Sequence, residues 1–199
     1  MNATDTNHTG GFSLDRLSGR LARRAASEGL LEVAYTVHDS QIGPLLMAAT
    51  DRGLVRVAFE REGHERVLDE IARKLSPRVL RSPGRLDEAR RELDEYLDGK
   101  RHGFDVPLDW TLNWSGFRRR ALEVVAAIPY GEVRTYTQVA RVAGNDRASR
   151  AAGTACATNQ LPLFVPCHRV VRIGGGLGNY GGGIPLKEHL LELEGATVT

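Results

Sequence analysis

The stretch Leu163-Phe164-Val165-Pro166-Cys167-His168-Arg169-Val170-Val171 constrains this chain more than any other, because it sets a thiol and an imidazole between two apolar runs. An apolar run of this length predicts a buried strand, and a proline just before the cysteine predicts that regular pairing stops there. The thiol then sits at the mouth of a core. His168 follows directly, and a histidine can hold the proton of a thiol, leaving the thiolate that is the nucleophilic form. Next comes Gly174-Gly175-Gly176-Leu177-Gly178-Asn179-Tyr180-Gly181-Gly182-Gly183, where side chains are nearly absent and backbone can approach a flat ligand such as a base. A lone buried cysteine is more often a small hydrophobe than a nucleophile. The functional reading therefore needs a wider pattern.

Length and composition narrow the classes. At 199 residues the chain can form one sizeable domain or two small ones sharing an interface. Its two cysteines, Cys156 and Cys167, are too few for a disulfide framework and lack the paired spacing of a zinc site, so free thiols in a reducing compartment are expected. No apolar run is long enough to cross a bilayer, and Met1 to Gly11 is polar, without the apolar segment of a signal peptide. A cytoplasmic protein without membrane contact is expected. The net charge of +2 is divided unevenly: residues 114–199 hold ten Lys/Arg against six Asp/Glu, a net of +4, which leaves −2 for residues 1–113. The cysteine half thus has the charge for a polyanion partner, since phosphate neutralisation supplies most non-specific nucleic-acid affinity. Ordinary surface scatter would give the same balance.

Along the chain, residues 1–30 are polar and then Arg/Ala-rich, with Leu14, Leu17 and Leu21 at helical spacing. A flexible extension ending in a short helix is expected, its Arg20 to Arg24 cluster a solvated face. From Leu31 the pattern becomes that of a three-stranded antiparallel meander: Leu31 to His38, Leu45 to Ala49 and Leu54 to Phe59, with turn residues between them. Glu65 to Leu75 and Leu86 to Leu97 read as amphipathic helices on that sheet. Residues 31–112 therefore look like scaffold, with no convergent polar cluster. Gly99 to Asn113 reads as the connection to a second domain over residues 113–199. There, Phe117 to Ile128 is a helix stopped by Pro129-Tyr130-Gly131, Thr135 to Ala143 a short helix, Gly144-Asn145-Asp146 a turn, and Ala148 to Ala157 a second helix, together a helix-turn-helix. Arg150 is the only long side chain on that second helix. A helix reading base edges in the major groove needs several Arg, Asn or Gln side chains; this bare one suits close approach to a DNA backbone by shape, or burial as an Ala-rich core helix.

Pro-Cys-His-Arg-Val around Cys167, Ser-Arg-Ala-Ala-Gly around Arg150 and Gly-Asn-Tyr-Gly-Gly-Gly from Gly178 together resemble the O6-alkylguanine-DNA alkyltransferases. The resemblance runs from about Val33 to Gly195 and is strongest from Ile128 onward. It implies an α+β fold: a ribonuclease H-like N-terminal sheet with helices, then a mostly helical, winged helix-turn-helix-like catalytic domain. It implies duplex DNA containing O6-alkylguanine as partner and substrate, with O4-alkylthymine a second candidate, and no cofactor or metal. A structural zinc held by some relatives is not expected, because no cysteine precedes Cys156. A monomer is expected, with cooperative loading on DNA left open. By motif position, Cys167 is the alkyl acceptor, and His168 and Glu194 form its proton relay through a water. Tyr136 contacts the target phosphate and base, and Arg150 fills the gap left by the flipped nucleotide on the helix that also carries Ala151. Asn159 braces the junction before the cysteine. Val170, Tyr180 and Gly181 wall the pocket, Gly181 standing where some relatives have a serine. Lys187 matches a lysine of relatives without an assigned role.

The chemistry implied is single-turnover. The modified base must leave the stack, at a cost of a few kcal/mol, and Cys167 then displaces guanine from the alkyl carbon. The resulting thioether has no easy route back. Three rival readings are weaker. Non-catalytic alkyltransferase-like lesion sensors replace the cysteine, commonly with tryptophan; a sequence-reading transcription factor needs a richer second helix; a cysteine hydrolase usually draws its histidine from a distant segment.

Overall fold

The computed structural model describes residues 19–21, 24, 25, 28–113 and 115–198, so the readings at Leu14 and Leu17 and most of the expected N-terminal extension lie outside the described residues. Strands β1 (Val33–Ser40), β2 (Gly43–Thr50) and β3 (Gly53–Phe59) form the antiparallel meander that their alternation and turn residues call for. The sheet has a fourth member. Strand β4 (Val79–Arg81) pairs parallel to β1, giving the order β3-β2-β1-β4. The expectation of three strands fails here because β4 has only three residues, too few to show a period of two.

Strand β2 sends alternate side chains to two cores, as a pleated strand must. Leu46 and Ala48 join Val33, Val55 and Ala58 beneath Val67 and Ile71 of helix α1 (His64–Lys74). Leu45, Met47 and Ala49 face the other way, toward Leu93, Tyr96 and Leu97 of helix α2 (Asp87–Leu97). That second core continues without a break into Leu122, Val125, Val139, Ala152, Leu163 and Cys167. The two halves of the chain therefore share one core, and the sheet is the wall against which the cysteine segment packs.

The Gly99 to Asn113 connection is not a free linker. Leu54 donates to the Pro107 carbonyl at 2.8 Å and the Asp109 amide returns to the Leu54 carbonyl at 2.8 Å, closing the start of the β3 edge. Further along, the Val57 amide donates to the Gln160 carbonyl at 2.9 Å, and the buried Arg56 guanidinium pairs with Glu62. An exposed strand edge is a template for unwanted pairing; here chain from both halves covers it.

The second half contains α3 (Gly116–Ala126), β5 (Arg134–Thr135), α4 (Tyr136–Val142), α5 (Ser149–Ala157), β6 (Val170–Val171) and α6 (Ile184–Leu193). Helix α4 starts at a capping box: the Gln138 amide donates to Thr135 Oγ1 at 3.2 Å and the Thr135 amide to Gln138 Oε1 at 2.7 Å. β5 and β6 pair in parallel as a small wing. The segment from Leu161 to Val170 is buried throughout, yet only Val170–Val171 is strand, which corrects the expectation of a buried strand in the apolar run leading to Pro166. Pro162 and Pro166 each remove a backbone donor, Leu163 turns to a φ of 75°, and Cys167–Arg169 closes as a 3-10 turn.

Gly53 has a φ of +134°, and a β-carbon there would collide with the Pro107 carbonyl. Gly53→Ala is predicted to lower the unfolding free energy by roughly 1–3 kcal/mol, read as an earlier urea midpoint, because it adds left-handed strain to a backbone clash.

Candidate active site

Asn159 organises the loop that presents the thiol. Its Oδ1 accepts from the Leu161 amide at 3.0 Å, while Nδ2 donates to the Val165 carbonyl at 2.9 Å and to Cys167 Sγ at 3.3 Å. One amide side chain thus closes both ends of the loop and touches the sulfur. The Cys167 amide returns to the Val165 carbonyl at 2.8 Å, which fixes the turn. From this 3-10 turn Cys167 meets Asn159, while His168 and Arg169 both meet Glu194.

Cys167 is a free, buried thiol. Burial pushes its pKa up, with the Asn159 hydrogen bond and the charge of Lys187 acting in the opposite direction. The resting protein therefore stores the thiol, and a base must take its proton when reaction occurs.

That base can be His168, and its setting is unusually complete. Its Nε2 lies 2.9 Å from Glu194 Oε1, with both side chains at 0% exposure. Glu194 caps the C-terminus of α6 and also accepts from Arg169 Nε at 2.8 Å and Nη2 at 2.9 Å, from the Tyr96 hydroxyl at 2.5 Å and from the Gly131 amide at 3.1 Å. Burial raises the Glu194 pKa, but hydrogen bonds from His168, Arg169 and Tyr96 outweigh it and hold the group at about 2. A carboxylate that is ionised can only accept, so His168 carries its proton on Nε2. Burial also lowers the His168 pKa, despite the neighbouring carboxylate, and keeps the ring neutral near pH 7. Its Nδ1 is then a lone pair, and it is buried with no hydrogen-bond partner within the protein.

An open cleft of about 630 Å³ is lined by Tyr136, Thr137, Ser149, Arg150, Gly153, Thr154, Ala157, Arg172, Ile173, Gly178 and Asn179; Cys167, His168 and Glu194 are not part of its lining. The bare helix α5 has two faces: Ala152, Ala155 and Cys156 are buried in the core, as the core-helix reading expects, while Arg150, Thr154 and Ala157 face the cleft. Ala151 is half-buried on the same helix. Tyr136 is half-buried, and desolvation pushes its hydroxyl up to about 12, so it remains a hydrogen-bond donor at neutral pH. A β-carbon at Gly178 would come within 2.8 Å of that hydroxyl, and the residue has a φ of +72°, so this position needs glycine.

The remaining predicted residues surround rather than line the cleft. Val170, Tyr180 and Asn159 are buried and outside its lining, and Gly181 is exposed beside Phe59. The Tyr180 hydroxyl is buried without a partner in the protein, and its ring stands edge-on to His168 at 6.2 Å between centroids. Lys187 is fully buried; its ammonium donates to the Val170 carbonyl at 2.5 Å and to the Leu177 carbonyl, tying β6 to the glycine loop, and burial brings its pKa down to about 8.

Three contributors escape a reading of the sequence. Arg169 lies in the motif, but nothing in the sequence says that its guanidinium turns inward to Glu194 and the Ile128 carbonyl. Tyr96 appears as one apolar position on a helix face, yet its hydroxyl reaches Glu194. Phe59 meets Tyr180 edge-on at 5.8 Å. The last two tie the N-terminal part, read above as scaffold with no convergent polar cluster, to the residues around Cys167.

Because the Glu194 pKa is depressed in the folded state, its stabilisation is fully present above about pH 4.5 and is lost as pH falls toward 2. Replacing it by glutamine leaves Arg169 buried without its anion. Glu194→Gln is predicted to cost roughly 3 kcal/mol at pH 7 and to flatten the acid dependence of unfolding over that window, measured by denaturant titration at several pH values.

With this geometry in place, comparison with known proteins gives a consistent answer. Residues 33–110 match the ribonuclease-like domain of the 6-O-methylguanine DNA methyltransferase family and residues 116–196 match its DNA binding domain. A methylated-DNA–protein-cysteine methyltransferase of Methanosarcina acetivorans is 36% identical over 81% of this chain and 98% of its own length. The rat protein of the same name is 33% identical over 83% of this chain and 84% of its own length. Among solved structures, the Mycobacterium tuberculosis O6-methylguanine methyltransferase superposes with a TM-score of 0.71 at 36% identity, covering 82% of this chain and 93% of that one. An M. tuberculosis OGT in complex with DNA superposes with a TM-score of 0.68 at 35% identity, covering 81% of this chain and 92% of that one. The chain belongs to the 6-O-methylguanine DNA methyltransferase family.

Proposed function

We propose that this protein repairs O6-alkylguanine in duplex DNA by moving the alkyl group irreversibly to its own Cys167, once per molecule. The observation that carries the reading is the free thiol of Cys167, held by Asn159 beside a neutral His168 whose Nε2 is bound to an ionised Glu194. The roles follow from chemistry. The thiol proton passes through a water to His168 Nδ1, and the sulfur attacks the alkyl carbon as the carbon–O6 bond breaks. The bonding pair leaves with the purine, and the proton taken from the thiol, released by His168 to water, balances the one that the purine takes up to become guanine. Tyr136 is the donor placed to offset charge on the departing purine, and Lys187 adds a buried positive charge that favours the thiolate. Arg150, exposed at the cleft wall, fills the space of the extruded nucleotide and offsets part of the unstacking cost.

In this reading residues 31–112 support the site and residues 113–199 bind DNA and carry the transfer. Val170 and Tyr180 shape the pocket from behind, while Gly181 leaves room at its loop and Ala151 allows close DNA approach. O4-alkylthymine is the second candidate substrate. Among the described residues no helix is long and apolar enough to cross a membrane, and a cytoplasmic location suits two free thiols.

Mixing the protein with a duplex containing one O6-methylguanine is predicted to add a single methylene mass to the Cys167 peptide, saturating at one per molecule, with Cys156 unmodified. Burial pushes the Cys156 thiol well up, which makes it a quiet internal control. Binding without a mass gain would favour a lesion sensor, and neither would end both readings. Arg150→Ala is predicted to leave Cys167 reactive toward free O6-alkylguanine base but to slow transfer from duplex roughly tenfold or more, consistent with losing one or two kcal/mol of help in extrusion.

A further inference from the structure

Tyr96 lies on α2, in the half of the chain whose polar residues have no other part in the reaction. Its side chain is at 0% exposure. The hydroxyl has two neighbours that could pair with it: Glu194 Oε1 at 2.5 Å and His168 Nε2 at 3.3 Å. These pairings have opposite consequences. Donation to His168 Nε2 would require the ring to carry its proton on Nδ1, where it could not accept one from the thiol. Donation to Glu194 leaves Nε2 facing an acceptor, and it must bring its own hydrogen. The shorter distance selects the second arrangement, since a hydrogen bond from a hydroxyl to an ionised carboxylate is both shorter and stronger than one to a neutral ring.

We propose that Tyr96 is a positioning residue for alkyl transfer: its hydroxyl shares Glu194 Oε1 with His168 Nε2 and so sets how strongly that carboxylate draws the His168 proton, and with it the readiness of Nδ1 to accept the proton of the thiol. The proposal rests on the His168–Glu194 relay described above. It gives the N-terminal half a share in the chemistry, because α2 is held by the sheet while Glu194 is held by α6. The other groups around the pair are accounted for. Arg169 binds the same carboxylate, the Gly131 amide takes Oε2, Lys187 is bonded to the Val170 and Leu177 carbonyls, and the Tyr130 hydroxyl is bonded to the Leu193 carbonyl. The Tyr180 hydroxyl has no protein partner, and its ring meets His168 edge-on. Among these groups Tyr96 is the uncharged hydroxyl in contact with both members of the relay.

The test is the pH dependence of the single-turnover transfer rate in the full chain. With Tyr96→Phe, Glu194 loses a donor and draws the proton on His168 more strongly. The acid limb of the profile should move to higher pH by on the order of one unit, with about a tenfold slower rate within the limb. Site-specific 3,5-difluorotyrosine at position 96, a stronger donor of the same shape, should move the limb the other way. Lesion-duplex affinity and thermal midpoint serve as controls for folding. An unmoved limb in both variants, with or without a uniform loss of rate, would overturn the role of Tyr96 and leave it a packing residue. A profile with no acid limb in the unmodified protein would remove the relay itself, a separate failure.

Discussion

Everything at this site depends on a buried carboxylate that remains ionised. Taking a carboxylate out of water costs several kcal/mol unless its lone pairs are filled. Glu194 is filled by Arg169, His168, Tyr96 and the Gly131 amide, which come from the cysteine turn, from α2 and from the turn after α3. The electrostatic requirement is therefore also a tertiary constraint: the end of α6, the motif and the N-terminal half must meet at one point for the charge to be tolerated. The chemistry inherits that precision. His168 is neutral because it is buried, and bears its proton on Nε2 because its neighbour can only accept.

The cleft above uses the opposite strategy, removing side chains. Helix α5 packs through Ala152, Ala155 and Cys156, and its outer face presents little beyond Arg150. Gly178 leaves room for the Tyr136 hydroxyl, where any β-carbon would intrude. A smooth helix face with Arg150, on a cleft that Arg172 also lines, suits a partner recognised by backbone and shape, for which base-edge readers would be superfluous. Lys187 links the two strategies, since a single buried ammonium fastens the glycine loop to β6 directly after the cysteine turn.

Local pattern made much of this legible. The meander and the helices α1 to α5 follow from alternation, helical spacing and turn residues that act over a few positions. The motif around Cys167 marked a candidate thiol, and the wider resemblance through Arg150 and the glycine loop raised it to the expected alkyl acceptor. What local pattern could not carry was long-range. β4 is too short to have a period, and the cysteine segment reads as strand although its two prolines and the Asn159 hydrogen bonds fold it into turns. Tyr96 is separated from Glu194 by 98 positions and looks like any other core aromatic, so its hydroxyl has meaning only once the sheet brings α2 beneath α6.

The most direct measurement of the central claim is the protonation state of the His168 ring, read from imidazole nitrogen chemical shifts in protein labelled with nitrogen-15 at histidine, with His168 assigned by its loss in His168→Gln. A neutral ring at pH 7 with its hydrogen on Nε2 and a bare Nδ1 is the result the buried carboxylate predicts. A doubly protonated ring, or a hydrogen on Nδ1, would contradict the account, because neither form can take the proton of Cys167.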